Sequence, residues 1–169
     1  MMNAHENPVA MPPRIALDPR LWNLVLATRM YGAHYPRLSA ERDTLHLDDL
    51  TEVRLLSDGS VDISVREDRS DRRNVEWRFA TWDYAQRWLA AEASARQPLP
   101  REITETPDPR FVIEHARTGH LSHDVLLDGA VVAQTGRYRA IRLTHALLAS
   151  IDDIPRIFSP GPVSTRKEP

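Results

Sequence analysis

Three histidines and two carboxylates fall within the eleven residues from Glu114 to Asp124, EHARTGHLSHD. Imidazole and carboxylate groups are common zinc ligands, and a catalytic zinc site needs three protein ligands and an open position. His115, His120 and His123 could supply them in a metal-dependent hydrolase, which is one alternative function. A solvent-exposed turn is the other interpretation, because histidines three apart on an extended chain seldom face one point and no HExxH spacing occurs. We expect the turn, and therefore assign no metal, no cofactor and no catalytic residue.

A second distinctive stretch is GRYRAIR, residues 136–142. Tyr138 stands between Arg137 and Arg139, so it could stack on a base while guanidinium groups, including that of Arg142, hold phosphates. Alternatively, Tyr138 is buried and the arginines are merely exposed. Nucleic-acid binding remains an alternative function, because the formal net charge of −2 is not a strongly basic footprint.

The segment TWDYAQRWLAAEASA, residues 81–95, predicts a helix with two aromatic residues on one edge. Helical spacing gives it an apolar arc of about 200°, whereas a helix lying on a sheet needs only about 100°. The surplus edge holds Tyr84 and Trp88, which together with Arg87 we assign to partner binding, since Trp, Tyr and Arg dominate many protein interfaces. The alternative is that the N-terminal helix, with Trp22, covers this edge.

Acidic residues are concentrated between Glu41 and Glu76, where eleven carboxylates face six arginines. Such a surface could meet a basic partner, because complementary charge speeds encounter. Asp62 and Asp68 are the acidic residues that we assign to partner contact.

Enzyme and membrane functions are disfavoured because the motifs typical of them do not occur in the sequence. The chain lacks GxSxG, GxxxxGK[ST] and GxGxxG motifs, and it has no cysteine for thiol chemistry. It shows neither a signal peptide nor an apolar run long enough to span a bilayer, so we expect a cytoplasmic protein with no membrane partner. We therefore expect a non-enzymatic protein-binding regulator, inhibitor or adaptor, which binds another protein and forms a homodimer.

The residues described above must be positioned by helices and strands, and the sequence predicts these elements. It predicts an α+β fold, in which antiparallel hairpins are each followed by a helix. Asp-Gly pairs at 58–59 and 128–129, each between alternating strands, predict two hairpins. Asp18 and Pro19 are suited to starting a first helix. Two further helices are expected from Trp82 to about Ala95 and from about Arg139 to Ile151.

The length and composition of the chain predict a single domain over residues 14–154, because 169 residues with 41% hydrophobic content suit one core. Residues 1–13 and the proline-rich residues 155–169 are predicted to be flexible arms. At a spacing of 59 residues the two later helices align, which suggests a duplicated strands-then-helix unit over 52–95 and 111–151. Two unrelated amphipathic helices, each after a strand, would give the same pattern.

Overall fold

The computed structural model describes residues 14–27, 35–67, 72–95, 98–117 and 119–159. The helices are α1 (Pro19–Ala27), α2 (Trp82–Ser94), α3 (Arg101–Glu105), α4 (Arg137–Leu147) and α5 (Ile154–Phe158). The strands are β1 (Arg37–Leu38), β2 (Thr44–His46), β3 (Thr51–Leu55), β4 (Val61–Arg66), β5 (Arg73–Phe79), β6 (Phe111–His115), β7 (His123–Leu127) and β8 (Ala130–Thr135). No helix among these residues is long and apolar enough to cross a membrane.

All eight strands form one antiparallel sheet, in the order β1-β2-β3-β4-β5-β8-β7-β6. The α+β class is therefore confirmed. The sheet has two halves, β1 to β5 and β6 to β8, which meet where β5 pairs with β8. A helix follows the last strand of each half, α2 after β5 and α4 after β8.

The two faces of the sheet differ in polarity. One face packs against α2 and α4 and carries a buried apolar row across five strands: Leu55, Val61, Phe79, Ala133 and Val125. The next row along the strands points to the other face, which we call the open face, and is polar: Arg54, Asp62, Arg78, Gln134, Asp124 and Glu114. This alternation is the two-residue side-chain period of a strand.

Both Asp-Gly pairs occupy hairpin turns. The first joins β3 to β4, and Gly59 has a φ of +86°. The second joins β7 to β8, where Asp128 and Gly129 have φ values of 51° and 80°. In the second turn both central residues thus have positive φ, which is the requirement of the tight two-residue turn that matches the twist of paired strands.

Helix α2 lies at the centre of the helical layer. Thr81 caps its start, since the Thr81 hydroxyl accepts a hydrogen bond from the Tyr84 N–H at 3.4 Å. Helices α1, α4 and α5 pack on it, and strand β5 lies beneath it. Trp88 is consequently only 1% exposed. The expectation that Trp88 would lie on a free edge is wrong, because several elements share the cover of this helix.

The alignment at a spacing of 59 residues matches residues that are not structurally equivalent. It matches Phe79, the fully buried last residue of β5, with Tyr138, which lies in the first turn of α4 and is 83% exposed. Helix α4 also begins two residues before the predicted start at Arg139 and ends before Ile151.

Four short elements were not predicted from the sequence: β1, β2, α3 and α5. The last of these corrects the predicted C-terminal arm, because α5 includes residues 155–158 and Phe158 is fully buried. The core therefore extends at least to Phe158. Residues 160–169 and the predicted arm at 1–13 lie outside the described residues.

Replacing Phe158 with alanine tests whether α5 belongs to the core. We expect Phe158→Ala to lower the free energy of unfolding by about 3–5 kcal/mol, because it leaves a cavity beneath α2. Urea denaturation followed by circular dichroism measures the change. Arg156→Ala is the control in the same helix, since its side chain is 85% exposed and should change stability little. Equal stability of the two variants would place α5 outside the cooperative unit.

Candidate partner-binding cleft

A cleft opens where the two halves of the sheet separate. Strand β5 covers Arg73–Phe79, but it pairs with β8 only through Arg78↔Gln134 and Phe79↔Ala133. The register with β4 shifts next to Trp77, which pairs with Ile63, while Val75 pairs with Ser64. Glu76 is therefore an extra residue, and such a bulge increases the local bend and twist of a strand. The first part of β5 thus diverges from β8.

The cleft has a volume of about 720 Å³. Three segments line it: the start of β5, the β6–β7 loop and the first turn of α4. Four of the lining residues are arginines and only one is a carboxylate, so the lining is cationic. The charged residues are Arg72, Arg73, Arg137, Arg139 and Glu76.

Glu76 and Arg139 form an ion pair across the cleft floor. The Arg139 guanidinium also lies over the Trp77 ring, 4.5 Å from its centroid. The Thr135 hydroxyl, which is buried, donates to the Glu76 carbonyl oxygen at 2.9 Å. These contacts tie β5 to the end of β8 and the start of α4 where no strand ladder joins them.

A stack of side chains continues from this floor into the core. The Trp77 and Trp88 rings lie 5.9 Å apart at 46°, and the Arg142 guanidinium lies over Trp88 at 5.6 Å. Arg142 also donates to a Glu92 carboxylate oxygen at 2.9 Å. Burial raises the pKa of Glu92, although Arg142 opposes that rise. Arg142 is therefore committed within the fold, and the prediction that it contacts phosphates is not supported by its position.

Tyr138 and Arg137, unlike Arg142, have exposed side chains. Tyr138 is 83% exposed at the rim of the cleft, so the alternative that it is buried is wrong. Arg137 forms no ion pair with any described residue. Of the four residues predicted in GRYRAIR, these two are free to contact a ligand, whereas Arg139 and Arg142 mainly hold the site together.

The start of α4 adds to the positive potential. Gly136 offers no side-chain cap, and the first turn contains no acidic residue. Arg137 and Arg139 stand there instead, although cations at a helix N-terminus are unfavourable by a few tenths of a kcal/mol or more. The backbone and side chains therefore concentrate positive charge on one wall of the cleft.

The residues assigned to an interface on α2 are covered to a large extent within the chain. Trp88 is buried in the stack, and Tyr84 is half-buried. Arg87 donates to the Leu147 carbonyl oxygen at 2.5 Å and pairs with Asp83 at 2.8 Å, which fixes it against α4. The sequence showed the apolar arc correctly but could not show how many neighbours cover it.

Three carboxylates of the predicted acidic surface, those of Glu52, Asp62 and Glu76, form ion pairs with arginines. Asp62 is bound by Arg78 through two hydrogen bonds of 2.6 and 2.8 Å, and its side chain is 15% exposed. Glu52 is 8% exposed and lies 2.8 Å from an Arg54 nitrogen. Asp68 lies outside the described residues.

The histidines divide between two places. His115 and His123 lie side by side at the end of the β6–β7 pair, with ring centroids 4.6 Å apart, whereas His120 lines the cleft. No group of three histidine, aspartate or glutamate residues in the described part of the chain could hold a metal ion. Burial lowers the pKa of His123, and the charges of His115 and Arg137 lower it further.

This depressed pKa predicts a loss of stability in mild acid. Protonation favours the unfolded chain, where the His123 pKa is about 6.5, so the stability present above that pH declines as the pH falls below it. Urea denaturation at pH 7.5 and pH 5.5 should show a smaller decline for His123→Gln than for the wild type. His120→Gln, in the exposed loop, is the control and should retain the full decline. Identical pH dependence in His123→Gln and the wild type would contradict this assignment.

No protein-family model and no curated protein matches the sequence. The chain is similar in structure to Rv3902c from M. tuberculosis, with a TM-score of 0.59 and 17% identity. The match covers 89% of this chain and 90% of that one. At this identity the likeness shows a shared fold and nothing finer.

Proposed function

We propose that this protein is a non-enzymatic regulator, inhibitor or adaptor that binds another protein through the cleft between the two halves of its sheet. The observation that carries the proposal is Tyr138, a large aromatic residue that is 83% exposed at the rim of a cationic cleft. Tyrosine and arginine are enriched among the residues that contribute most to protein interfaces, since one end of each is apolar and the other makes hydrogen bonds.

The charge of the cleft favours a partner with an acidic segment. Arg137 has no ion pair among the described residues, and Arg139 shares its charge with a single carboxylate, Glu76. Arg73, at the other wall, lies 3.6 Å from a Glu52 carboxylate oxygen. An acidic segment would therefore meet the uncompensated charge of Arg137 first, and such charge speeds encounter and fixes orientation. The sequence assigned partner contact to an aromatic edge of α2 and, separately, to an acidic surface between Glu41 and Glu76 that suits a basic partner. The cleft instead favours an acidic partner.

Binding is proposed and not catalysis, because the sequence contains no GxSxG, GxxxxGK[ST] or GxGxxG motif. The carboxylate among the described cleft residues, that of Glu76, is engaged in an ion pair with Arg139. A cysteine-free chain is suited to a reducing cytoplasm, where we place the protein.

We also retain the duplication as a hypothesis, because a three-stranded meander precedes both α2 and α4 and the cleft lies at the junction of the two meanders.

Single-stranded nucleic acid is a second candidate for the same cleft. Tyr138 is exposed beside Arg137, and this pair could stack a base and hold a phosphate. A polynucleotide, however, usually requires a longer basic track. On the open face, cationic side chains alternate with acids, as in Arg54, Asp62 and Arg78. The protein partner is therefore the better fit.

Charge reversal in the cleft tests this proposal. A tagged wild-type protein is used to capture partners from a nuclease-treated native lysate, and the captured protein is then purified and titrated against variants. We expect Arg137→Glu with Tyr138→Ala to weaken binding about tenfold or more, a loss of at least about 1.4 kcal/mol, while leaving the fold intact because both side chains are exposed. Isothermal titration measures the affinity, and circular dichroism checks the fold.

Arg101→Glu is the matched control, because it reverses an arginine that is 87% exposed on α3, outside the cleft. It should bind like the wild type. If the double variant also binds like the wild type, the cleft is not the interface. If the wild type instead retains a single-stranded oligonucleotide at near-physiological salt and the double variant releases it, the nucleic-acid function replaces the proposed one.

A further inference from the structure

A small cavity lies between the sheet and the helical layer, apart from the cleft. Its volume is about 160 Å³, and it shares no lining residue with the cleft. Strands β4 and β5, the β2–β3 connection and helices α1 and α2 enclose it, and most of its lining is apolar, including Ile63, Val65, Trp77 and Leu89. Protein interiors seldom leave a space larger than a water molecule unfilled. The cavity is therefore large for a packing defect.

Trp77 brings a hydrogen-bond donor into this apolar surrounding. Its Nε1 is buried, and no described residue accepts a hydrogen bond from it. The neighbours of its ring are the Arg139 guanidinium at 4.5 Å and the Trp88 ring at 5.9 Å, and neither offers a lone pair. Buried polar groups nearly always have a partner in the protein, in ordered water or in a ligand. Because Trp77 lines the cavity, an acceptor for its N–H can lie there.

The size of the cavity limits what it can hold. A cavity on the order of 150 Å³ with aliphatic and aromatic walls binds benzene. Two tryptophan rings, those of Trp77 and Trp88, are among the walls here, and aromatic rings pack favourably on one another. A buried water needs two to four polar partners, which walls of this composition supply poorly. The space therefore suits a single aromatic ring better than a group of waters.

The polar lining residues indicate the charge of the ligand. Asp48, Thr51 and Glu92 line the cavity and none of them is buried, so they lie where it meets solvent. The Asp48 carboxylate accepts hydrogen bonds from the N–H groups of Leu50 and Thr51 at 2.8 and 2.5 Å, and no described arginine pairs with it. An anionic ligand would be repelled by this carboxylate. An uncharged ligand is therefore favoured.

We propose that this cavity binds a small uncharged aromatic molecule, the size of one ring, whose hydroxyl oxygen accepts a hydrogen bond from the Trp77 Nε1–H. The ring packs on the apolar walls formed by Ile63, Val65 and Leu89. The hydroxyl hydrogen can be donated to water or to a carboxylate at the mouth. Phenols and aromatic alcohols are the chemical class that meets these requirements.

Titration of the full chain with phenol, followed by two-dimensional proton–nitrogen NMR, tests the proposal at the indole N–H itself. Phenol is uncharged at neutral pH, since the pKa of a phenolic hydroxyl is about 10. The Trp77 Nε1–H resonance, assigned by its absence in Trp77→Phe, should move downfield and saturate. The Trp82 resonance is the internal control. It should stay in place, because the Trp82 Nε1–H already donates to the Ala16 carbonyl oxygen at 2.8 Å.

Filling the cavity provides the second measurement. Val65→Phe should raise the dissociation constant for phenol about tenfold or more, because the added ring occupies the space. Val112→Phe is the matched control and should bind phenol like the wild type, since Val112 is 55% exposed on β6 and lies outside the cavity. Circular dichroism checks that both variants fold.

A third measurement separates the hydrogen bond from the packing of the ring. Trp77→Phe removes the N–H and retains an aromatic side chain. It should weaken the binding of phenol about threefold or more relative to that of toluene, which has the same ring but no oxygen. Benzoate, which carries a charge on the same ring, should bind the wild type more weakly than phenol.

A Trp77 resonance that saturates in the wild type but not in Val65→Phe would support the site. If neither phenol nor toluene gives a saturable change, the cavity holds water alone and the proposal is rejected. Unchanged phenol affinity in Val65→Phe would place the binding elsewhere and would also reject it. Equal losses of phenol and toluene in Trp77→Phe would exclude the hydrogen bond, and tighter binding of benzoate than of phenol would exclude an uncharged ligand.

Discussion

The junction between β5 and β8 is the constraint on which the rest of the structure depends. Two residue pairs join the halves of an eight-stranded sheet, with fully buried Phe79 in one of them. Bulges lie on both sides of the junction, one at Glu76 and one at Val132, since Val125 pairs with Ala133 but Leu126 pairs with Val131. Each bulge increases twist, and the halves diverge on the Trp77 side of the two pairs, whereas on the other side the Ala80 N–H still donates to the Val132 carbonyl oxygen at 2.9 Å. The cleft follows from that divergence.

Side chains replace the missing ladder on one side of the junction. The Arg139 and Trp77 contact, the Thr135 hydrogen bond to Glu76 and the tryptophan pair together span the widening gap. A guanidinium over an indole ring is stabilised by the ring quadrupole, by about 0.5–2 kcal/mol depending on desolvation. The residues that shape the floor of the cleft are therefore also residues that hold the two halves together. Residues at its rim, which contribute nothing to that task, are the ones free for binding.

The local parts of this fold could be predicted from sequence. Asp-Gly turns, strand alternation and the Thr81 cap each depend on residues within a few positions of one another, and the structure contains the elements that they indicate. Pro155 illustrates the limit. It stands in the first turn of α5, as Pro19 does in α1, but in a proline-rich segment the same residue indicated the end of structure. What distinguishes the two cases is the burial of Phe158, which depends on distant residues.

The candidate site was less predictable because the cleft forms where β5 and β8 are not paired. Periodicity identifies a strand but does not show how far it remains paired, so the approach of Arg72 and Arg73 to α4 had no signal in the sequence. The sequence also left open whether Tyr138 is exposed or buried. Strand alternation gives way at Gly136 to a helix, which turns Tyr138 outward instead of into the core.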